Sequence, residues 1–143
     1  MKKLKVYVGC ALTHSTEEYR QQIADFKDRL RELPNVEVLD FVGLENATSE
    51  EVYEHDIHYC VATCDLFIAE CSHPAIGLGY ELGVAVDGWK KPTIAFFGKD
   101  IKVTRLVQGL LCKRNPHFES AYYSSLDELV DISHQKILAL QAN

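Results

Sequence analysis

Asp65-Leu66-Phe67-Ile68-Ala69-Glu70 places four apolar residues in succession, a pattern that predicts a β-strand buried on both faces. A strand with one solvated face would instead alternate apolar and polar residues. Residues 3–9 and Thr93–Phe97 form two similar apolar runs. Because strands buried on both faces are typical of parallel sheets with helices on either side, these runs together predict an α/β fold.

Helical segments separate the apolar runs. The first opens at the capping-box pattern Ser15-Thr16-Glu17-Glu18 and continues with apolar residues at helical spacing. These residues are Tyr19, Ile23, Phe26, Leu30 and Leu33. The remaining predicted elements, in chain order, are a strand at Val36–Val42, a helix from the capping box at Thr48 to about residue 63, a helix from about Tyr80 to Trp89, a helix at 101–111, a strand near His117–Tyr123 and a final helix that opens at the capping box of Ser125.

The order of these elements predicts one domain that covers residues 1–143. Strands and helices alternate five times without a linker, a repeat or a low-complexity segment. The expected architecture is therefore a doubly wound, three-layer α/β sandwich with a five-stranded parallel sheet, similar to flavodoxin-like and Rossmann-like domains. In such sheets the ligand binds beyond the carboxyl ends of the strands, which points to the loops after Gly9, Val42 and Glu70.

Charge and hydropathy exclude several partners. The chain has 21 acidic and 15 basic residues and a net charge of −6, so it lacks the basic surface that binding to a nucleic acid polymer requires. No apolar run approaches the roughly 20 residues that span a bilayer. The run that follows Met1 is also too short for the apolar region of a signal peptide. We therefore expect no nucleic-acid polymer and no membrane as partners, and a small molecule as the ligand.

The cysteines indicate a reducing compartment and no metal. The five cysteines, an odd number without a disulfide-framework spacing, are Cys10, Cys60, Cys64, Cys71 and Cys112. Free thiols in the cytoplasm fit this pattern best. A zinc site would need paired ligands at CxxC-like spacing, which Cys60, Cys64 and the nearby His73 do not provide. Cys60 and Cys64 are more typical of small core residues, and we expect no metal and no other cofactor.

Glu81 is the acidic residue best placed for chemistry. It follows Gly77 and Gly79, which predict a sharp turn and a close approach of the backbone to a ligand. The pattern puts Glu81 in the first turn of the next helix, where the helix dipole favours a charged carboxylate. An ionised carboxylate at the ligand-binding edge of the sheet is a candidate nucleophile. The alternative is that Glu81 only complements the dipole of its own helix.

The longer stretch Asp65–Gly83 resembles the signature of a known enzyme family. Its specific part is the run Pro74-Ala75-Ile76-Gly77-Leu78-Gly79-Tyr80-Glu81-Leu82-Gly83. This run is similar to that of the 2'-deoxynucleoside 5'-phosphate N-hydrolases, which are related to the nucleoside 2-deoxyribosyltransferases, and the resemblance extends from Lys5 to about residue 110. It implies a nucleoside deoxyribosyltransferase-like domain in which Glu81 attacks the anomeric carbon of the sugar and forms a glycosyl-enzyme intermediate.

The resemblance implies two further catalytic residues. Asp56 matches a family aspartate that acts as general acid or base near the leaving base, and Tyr7 matches a family tyrosine close to the nucleophile. From the pattern alone, Asp56 is equally a solvated helix carboxylate with Glu54 as a rival, and Tyr7 is a core aromatic residue. The chemistry is coherent, because cleavage develops positive charge on the sugar and negative charge on the departing base.

The resemblance also implies which residues surround the substrate. The family binds a 5'-phosphate with a loop containing Ser and Arg and with a Ser after the motif proline, whereas here residues 10–15 include no Arg and Ala75 replaces the Ser. Ser15 is predicted to cap its helix instead. In the family a neighbouring subunit also supplies a hydroxyl, and Thr104 lies near that position, which implies a homodimer or a higher homo-oligomer. The candidate binding residues are Gly9, Cys10, Ala11, His14, Ser72, Pro74, Ala75, Gly77, Gly79 and Thr104.

Three functions are compatible with these residues. The first is an N-glycosidase that hydrolyses the base–sugar bond of a (deoxy)nucleoside or its 5'-monophosphate, with Glu81, Asp56 and Tyr7 as catalytic residues. The second is a nucleoside 2-deoxyribosyltransferase that exchanges bases. The third is a non-catalytic nucleotide-binding module, which is disfavoured because all three catalytic side-chain types are present.

Overall fold

A computed structural model describes residues 3–13, 15–41 and 46–143. Its five strands form one sheet in the order β2-β1-β3-β4-β5, and every neighbouring pair is parallel. The strands are β1 (Leu4–Cys10), β2 (Val36–Leu39), β3 (Leu66–Glu70), β4 (Thr93–Gly98) and β5 (Phe118–Tyr123). The predicted doubly wound α/β architecture with a five-stranded parallel sheet is confirmed.

Helices cover both faces of the sheet. They are α1 (Glu17–Arg31), α2 (Ser49–Tyr53), α3 (Ile76–Gly83), α4 (Arg105–Gln108) and α5 (Leu126–Gln141). Two of them continue as π-helix, α2 through Glu54–Val61 and α3 through Val84–Gly88. Phe26 of α1 and Leu129 of α5 pack against one sheet face, whereas α2, α3 and α4 pack against the face that carries Tyr7 and Phe67. The molecule therefore has three layers.

Side-chain caps fix the starts of three helices. Thr16 is the N-cap of α1 and accepts a hydrogen bond from the backbone N–H of Tyr19. The prediction that Ser15 caps this helix is wrong, because its hydroxyl donates to the carbonyl of Leu12. Thr48 and Glu51 form the predicted capping box at α2, and Ser125 caps α5. Capping satisfies N–H groups that the first turn leaves without partners.

The helix before β4 begins earlier than predicted. It starts at Ile76 rather than Tyr80, so Gly77 and Gly79 lie inside it, and of the described glycines none has a positive φ. Each glycine costs a helix about 1 kcal/mol relative to alanine. The helix nevertheless forms because Leu78 and Leu82 bury their side chains against the sheet.

Two other elements are shorter than predicted. The second strand ends at Leu39, and Val42, like His14, lies outside the described residues. The helix expected at 101–111 is the single turn Arg105–Gln108. After it, the N–H groups of Leu110 and Leu111 bond to carbonyls three residues back, so the chain tightens into turns instead of continuing the helix.

All five cysteines fall within the described ranges and are free thiols. Cys60 and Cys64 are buried in the core, as predicted. Among the described residues, no helix combines the length and the hydropathy that crossing a bilayer would require.

Candidate active site

The centre of the site is a direct hydrogen bond between Tyr7 and Glu81. Tyr7 lies in β1, between β2 and β3, where successive connections leave the sheet in opposite directions. Its hydroxyl donates to Oε2 of Glu81 on α3 at 2.5 Å. Tyr7 is 2% exposed and stacks on Phe67. It is therefore both a core aromatic residue and the partner of the proposed nucleophile.

Burial controls the charge of Glu81. The pKa of its carboxyl group is raised to about 7, mainly by burial and also by the nearby charge of Asp56, while the hydrogen bond from Tyr7 and the charge of Lys27 lower it. The expected stabilisation by the dipole of the first helical turn is wrong, because Glu81 is the sixth residue of a helix that begins at Ile76. At neutral pH both the protonated and the ionised forms of Glu81 are therefore populated.

Tyr7 is a hydrogen-bond donor and not an anion. Burial and the adjacent charge of Glu81 raise the pKa of Tyr7 far above its ordinary value. The phenol consequently keeps its proton throughout the physiological range. A neutral donor at this position holds the carboxylate of Glu81 in one orientation, which is what attack on a single carbon atom requires.

Asp56 lies close to this pair, on the π-helical part of α2. Its side chain is half-buried, and its charge raises the pKa of Tyr7, of Glu81 and of the Cys60 thiol. The rival residue, Glu54, is exposed. The structure thus brings together Tyr7 of β1, Asp56 of the π-helical part of α2 and Glu81 of α3.

Asp56 also belongs to a group of metal-ligating side chains. Ligand atoms of His55, Asp56 and Cys60 all lie within 4.8 Å of one another. The His55 ring nitrogen Nε2 and the Cys60 thiol both hydrogen-bond to the carbonyl of Asp40, at 2.7 and 3.4 Å. Burial and nearby carboxylates raise the pKa of Cys60 to about 12, so the thiol is protonated and a weak metal ligand.

The end of β1 and the loop after it offer few side chains to a ligand. A Cβ atom at Gly9 would lie 2.8 Å from Phe67 and 3.0 Å from Leu78, so packing against the core, and not only a ligand, requires glycine there. Ala11 is buried, and Cys10 is half-buried with its pKa raised to about 11, chiefly by burial. His14, the remaining candidate in this loop, lies outside the described residues.

The predicted binding residues between Ser72 and Gly79 differ in the contacts that they could make with a substrate. Ser72 donates its hydroxyl hydrogen to Glu70 at 2.7 Å, so that hydrogen is not directed at a substrate phosphate. Pro74 is exposed, and Ala75 precedes α3 without a side-chain cap. Cβ atoms at Gly77 and Gly79 would meet nothing within 4 Å, which leaves the backbone of α3 open to a ligand or a partner. The predicted sharp turn at these glycines is wrong, because both are helical.

Thr104 is the last of the predicted binding residues, and Lys27 is a cation that influences the charge of Glu81. Thr104 is exposed immediately before α4, where its carbonyl accepts the N–H of Gln108. Lys27 of α1 is nearly buried, with its ammonium 4.2 Å from the centre of the Phe41 ring and 3.6 Å from Asp40. Its charge lowers the pKa of Glu81 and favours the ionised form.

Sequence reasoning missed Lys27 and Glu70. Lys27 follows Ile23 by four residues and precedes Leu30 by three, so a cation on the apolar stripe of α1 was a signal of a functional or structural role. Glu70 is a carboxylate at the end of an otherwise apolar strand, and it is fully buried. Both are polar residues at positions where the pattern demands apolar ones.

Comparisons with known proteins show the family and the fold of the chain. The chain is 30% identical over 115 residues to a curated protein of Syntrophotalea carbinolica whose name assigns it to the 2'-deoxynucleoside 5'-phosphate N-hydrolases; the match covers 79% of this chain and 70% of that protein. The structure superposes on the CMP N-glycosidase BcmB of Clostridium botulinum with a TM-score of 0.71 at 20% identity, over 92% of this chain and 98% of the other. No protein-family model matches.

A further structural neighbour shows the same fold. It is a conserved protein of Enterococcus faecalis V583, with a TM-score of 0.58 at 15% identity, covering 94% of this chain and 99% of that one. The curated relative, together with the fold, defines an enzyme of the nucleotide N-glycosidase class. The chain belongs to the 2'-deoxynucleoside 5'-phosphate N-hydrolase family. The resemblance stated from the sequence is thereby confirmed.

Proposed function

We propose that the protein hydrolyses the base–sugar bond of a (deoxy)nucleoside or its 5'-monophosphate through a glycosyl-enzyme intermediate on Glu81. The observation that carries the proposal is the buried Glu81 carboxyl group held by the Tyr7 hydroxyl at 2.5 Å, with Asp56 close by. A carboxylate oriented by a neutral donor is suited to attack one face of a sugar ring. Family membership supplies the substrate class.

In the first step Glu81 acts as the nucleophile and Asp56 as the acid. An oxygen of Glu81 forms a bond to C1' of the sugar as the bond from C1' to the base nitrogen breaks, and the electron pair stays on the base. Protonation by Asp56 neutralises the departing base. Tyr7 keeps its hydrogen bond and holds the attacking carboxyl group in line with the bond that breaks.

In the second step water resolves the intermediate. Asp56, now ionised, removes a proton from a water molecule that attacks C1', and the bond to Glu81 breaks with its electron pair returning to the carboxylate. Free sugar, or sugar 5-phosphate, leaves. Replacement of water by a second base at this step would make the protein a deoxyribosyltransferase, so the two activities share the first step.

The relatives favour a 5'-monophosphate as substrate. One is named for a 2'-deoxynucleoside 5'-phosphate and the other is a CMP N-glycosidase. In this chain Ala75 offers no hydroxyl, and the Ser15 hydroxyl donates to Leu12. A phosphate would therefore depend on backbone N–H groups near the starts of α1 and α3 and on Thr104 of a neighbouring subunit.

We propose a homodimer or a higher homo-oligomer in the cytoplasm. An exposed apolar surface supports the assembly: Ile76, Tyr80 and Trp89 are 95%, 53% and 38% exposed, and a groove of about 540 Å³ runs between Gly79 and Trp89. Isolated exposed apolar residues are common, but a contiguous apolar face indicates a binding surface. The free thiols are compatible with a reducing compartment.

The test is a substrate panel with matched variants. Ribo- and deoxyribonucleosides and their 5'-monophosphates are incubated with the protein, with and without an acceptor base, and chromatography follows free base and exchanged nucleoside. We expect base release by the wild type and a loss of at least about 10³-fold in Glu81→Gln, because the amide cannot act as the nucleophile.

Two further variants assign the acid. Asp56→Asn should lower the rate by about 10²–10⁴-fold, the usual contribution of a general acid, whereas Glu54→Gln on the same helix should leave it unchanged. Activity that persists in Glu81→Gln would contradict the mechanism. Exchange that exceeds hydrolysis would establish the transferase, and tight nucleotide binding without turnover by the wild type would establish the binding module.

A further inference from the structure

A second carboxylate, Glu70, is buried at the end of the central strand β3 and takes no part in the proposed chemistry. It is 0% exposed and accepts four hydrogen bonds. Oε1 accepts from the Tyr19 hydroxyl at 2.8 Å and from the Ser72 N–H at 2.9 Å. Oε2 accepts from the Ser72 hydroxyl at 2.7 Å and from the Tyr123 hydroxyl at 2.6 Å. Every acceptor position of the carboxylate is thus occupied.

The donors to Glu70 come from three separate parts of the chain. Tyr19 belongs to α1, Tyr123 ends β5, and Ser72 lies in the loop between β3 and α3. The Ser72 hydroxyl also accepts the N–H of Gly98, at the end of β4, at 2.7 Å. A Cβ atom at Gly98 would lie 3.2 Å from that hydroxyl oxygen, so glycine leaves the room that Ser72 needs.

Stability alone does not account for this arrangement. Burying a carboxylate has an effective penalty of several kcal/mol, and well-packed apolar residues in place of a buried polar network are often equally stable. An apolar residue could not supply the directional hydrogen bonds that fix the position of the loop. The Glu70 carboxylate fixes both the backbone and the side chain of Ser72, and the loop from Ser72 to Ala75 leads directly into α3, which carries Glu81.

We propose that Glu70 is a positioning residue that acts through Ser72 to hold the loop between β3 and α3 in the geometry that the substrate requires. The proposal rests on the proposed N-glycosidase function. Ser72 gives its one hydroxyl hydrogen to Glu70 and accepts from Gly98, so its role is to tie the loop to β3 and β4. His73, which packs edge-on against Tyr19 at 4.5 Å, is held by the same network.

The test compares two single-hydroxyl deletions. Ser72→Ala and Tyr123→Phe each remove one donor to the same oxygen of Glu70, but only Ser72→Ala also removes the acceptor of the Gly98 N–H and so loosens the loop. We expect Ser72→Ala to lower kcat/KM at least about tenfold, since small displacements of binding groups have effects of this size. Tyr123→Phe should leave kcat/KM within about twofold of the wild type. It should nevertheless lower Tm about as much as Ser72→Ala does, because each variant removes one hydroxyl donor to Glu70.

Glu70→Gln separates positioning from direct contact. It retains the Ser72 hydroxyl but removes an acceptor that Ser72 needs, so a positioning role predicts the same loss of kcat/KM as in Ser72→Ala. A Ser72 hydroxyl that contacted the substrate itself would instead remain active in Glu70→Gln, and that result would overturn the proposal. If Glu70→Gln does not fold, the hydrogen exchange of Ser72→Ala decides, because direct contact of the hydroxyl with the substrate would not change exchange in the free protein.

Hydrogen exchange provides a readout that does not need catalysis. Ser72→Ala should accelerate exchange at the backbone N–H of the substituted position and at that of Gly98, and Tyr123→Phe should not. Calorimetric titration with a nucleoside 5'-monophosphate then reports whether the loosened loop weakens binding. A wild type without glycosidase activity would refute the proposed function alone, whereas unchanged exchange and unchanged affinity in Ser72→Ala would refute the positioning role.

Discussion

The pKa of Glu81, about 7, places the titration of the proposed nucleophile inside the physiological range. Two opposing influences set this value. Burial disfavours the charged form, whereas the Tyr7 hydroxyl and the charge of Lys27 favour it. A nucleophile must be ionised to attack, so the side chains that oppose burial determine how much of the enzyme is competent at a given pH.

The pH dependence of catalysis follows from this balance. In the wild type kcat/KM should rise with pH through a midpoint near 7, because the carboxylate form of Glu81 increases. Tyr7→Phe removes a hydrogen bond that lowers the pKa, so the midpoint should move to higher pH and the rate at pH 7 should fall about 10- to 100-fold, the value of a hydrogen bond to a charged group.

The measurement is a pH–rate profile of both proteins. Tyr123→Phe is the matched control, because it removes the hydroxyl of another buried tyrosine that is bonded to Glu70 and not to Glu81. Its midpoint should equal that of the wild type. A Tyr7→Phe profile with an unshifted midpoint would show that this hydrogen bond does not govern the ionisation of Glu81.

Strand β1 and helix α3 both carry glycine near the Tyr7–Glu81 pair, but for different reasons. Gly9 of β1 lies against Phe67 and against Leu78 of α3, with no room for a methyl group. Gly77, in α3, has open space where its side chain would be. The same residue type therefore serves two purposes, close packing in the strand and an accessible backbone in the helix.

Alanine at these two positions should have opposite effects on stability. Gly9→Ala should lower the free energy of unfolding by about 1–3 kcal/mol through overpacking. Gly77→Ala should raise it by about 0.4–1 kcal/mol, because a helical glycine with free space loses only the flexibility of its unfolded state. Urea unfolding of the two variants measures both changes; a stabilised Gly9→Ala would contradict the packing described for Gly9, and a destabilised Gly77→Ala would contradict the open space at Gly77.

The elements could be predicted from the sequence wherever a local pattern determines them. Apolar runs give the strands, and the caps Thr48 and Ser125 mark helix starts. The start of α3 could not be predicted, because burial of Leu78 and Leu82 overrides the low helix propensity of its glycines. The Glu70 network depends on contacts between distant residues, which no local pattern contains. Position along the chain already made Glu81 a candidate, whereas Tyr7 and Asp56 became candidates only through resemblance to a known family.

The exposed apolar face of α3, with Tyr80 and the nearby Trp89, is the proposed contact surface between subunits. Tyr80 and Trp89 border the groove on one outer layer, and Leu138, 46% exposed, lies on α5 in the opposite layer. The proposed oligomer would bury the first surface and leave the second in solvent. A charged substitution at Tyr80 therefore tests the proposed interface, and the same substitution at Leu138 is its control.

We expect the wild type to sediment as a dimer or larger species rather than as a 16.2 kDa monomer. Tyr80→Lys should dissociate it, because a charged group placed in an apolar interface loses its hydration without a partner. Leu138→Lys should leave the assembly intact. Analytical ultracentrifugation over a range of concentrations decides, and a wild type that is monomeric throughout would contradict the proposed assembly.

The buried carboxyl group of Glu81 also links folding to acidity. Its pKa is about 7 in the folded chain and 4.5 when unperturbed, so between these values the folded state holds the proton more tightly than the unfolded state does. The stability that this group contributes is complete below pH 4.5 and is lost as the pH rises to about 7. The deprotonation that prepares the enzyme for attack therefore weakens its fold, and the ester that Glu81 forms with the sugar in the proposed intermediate, which carries no charge, would restore the stability.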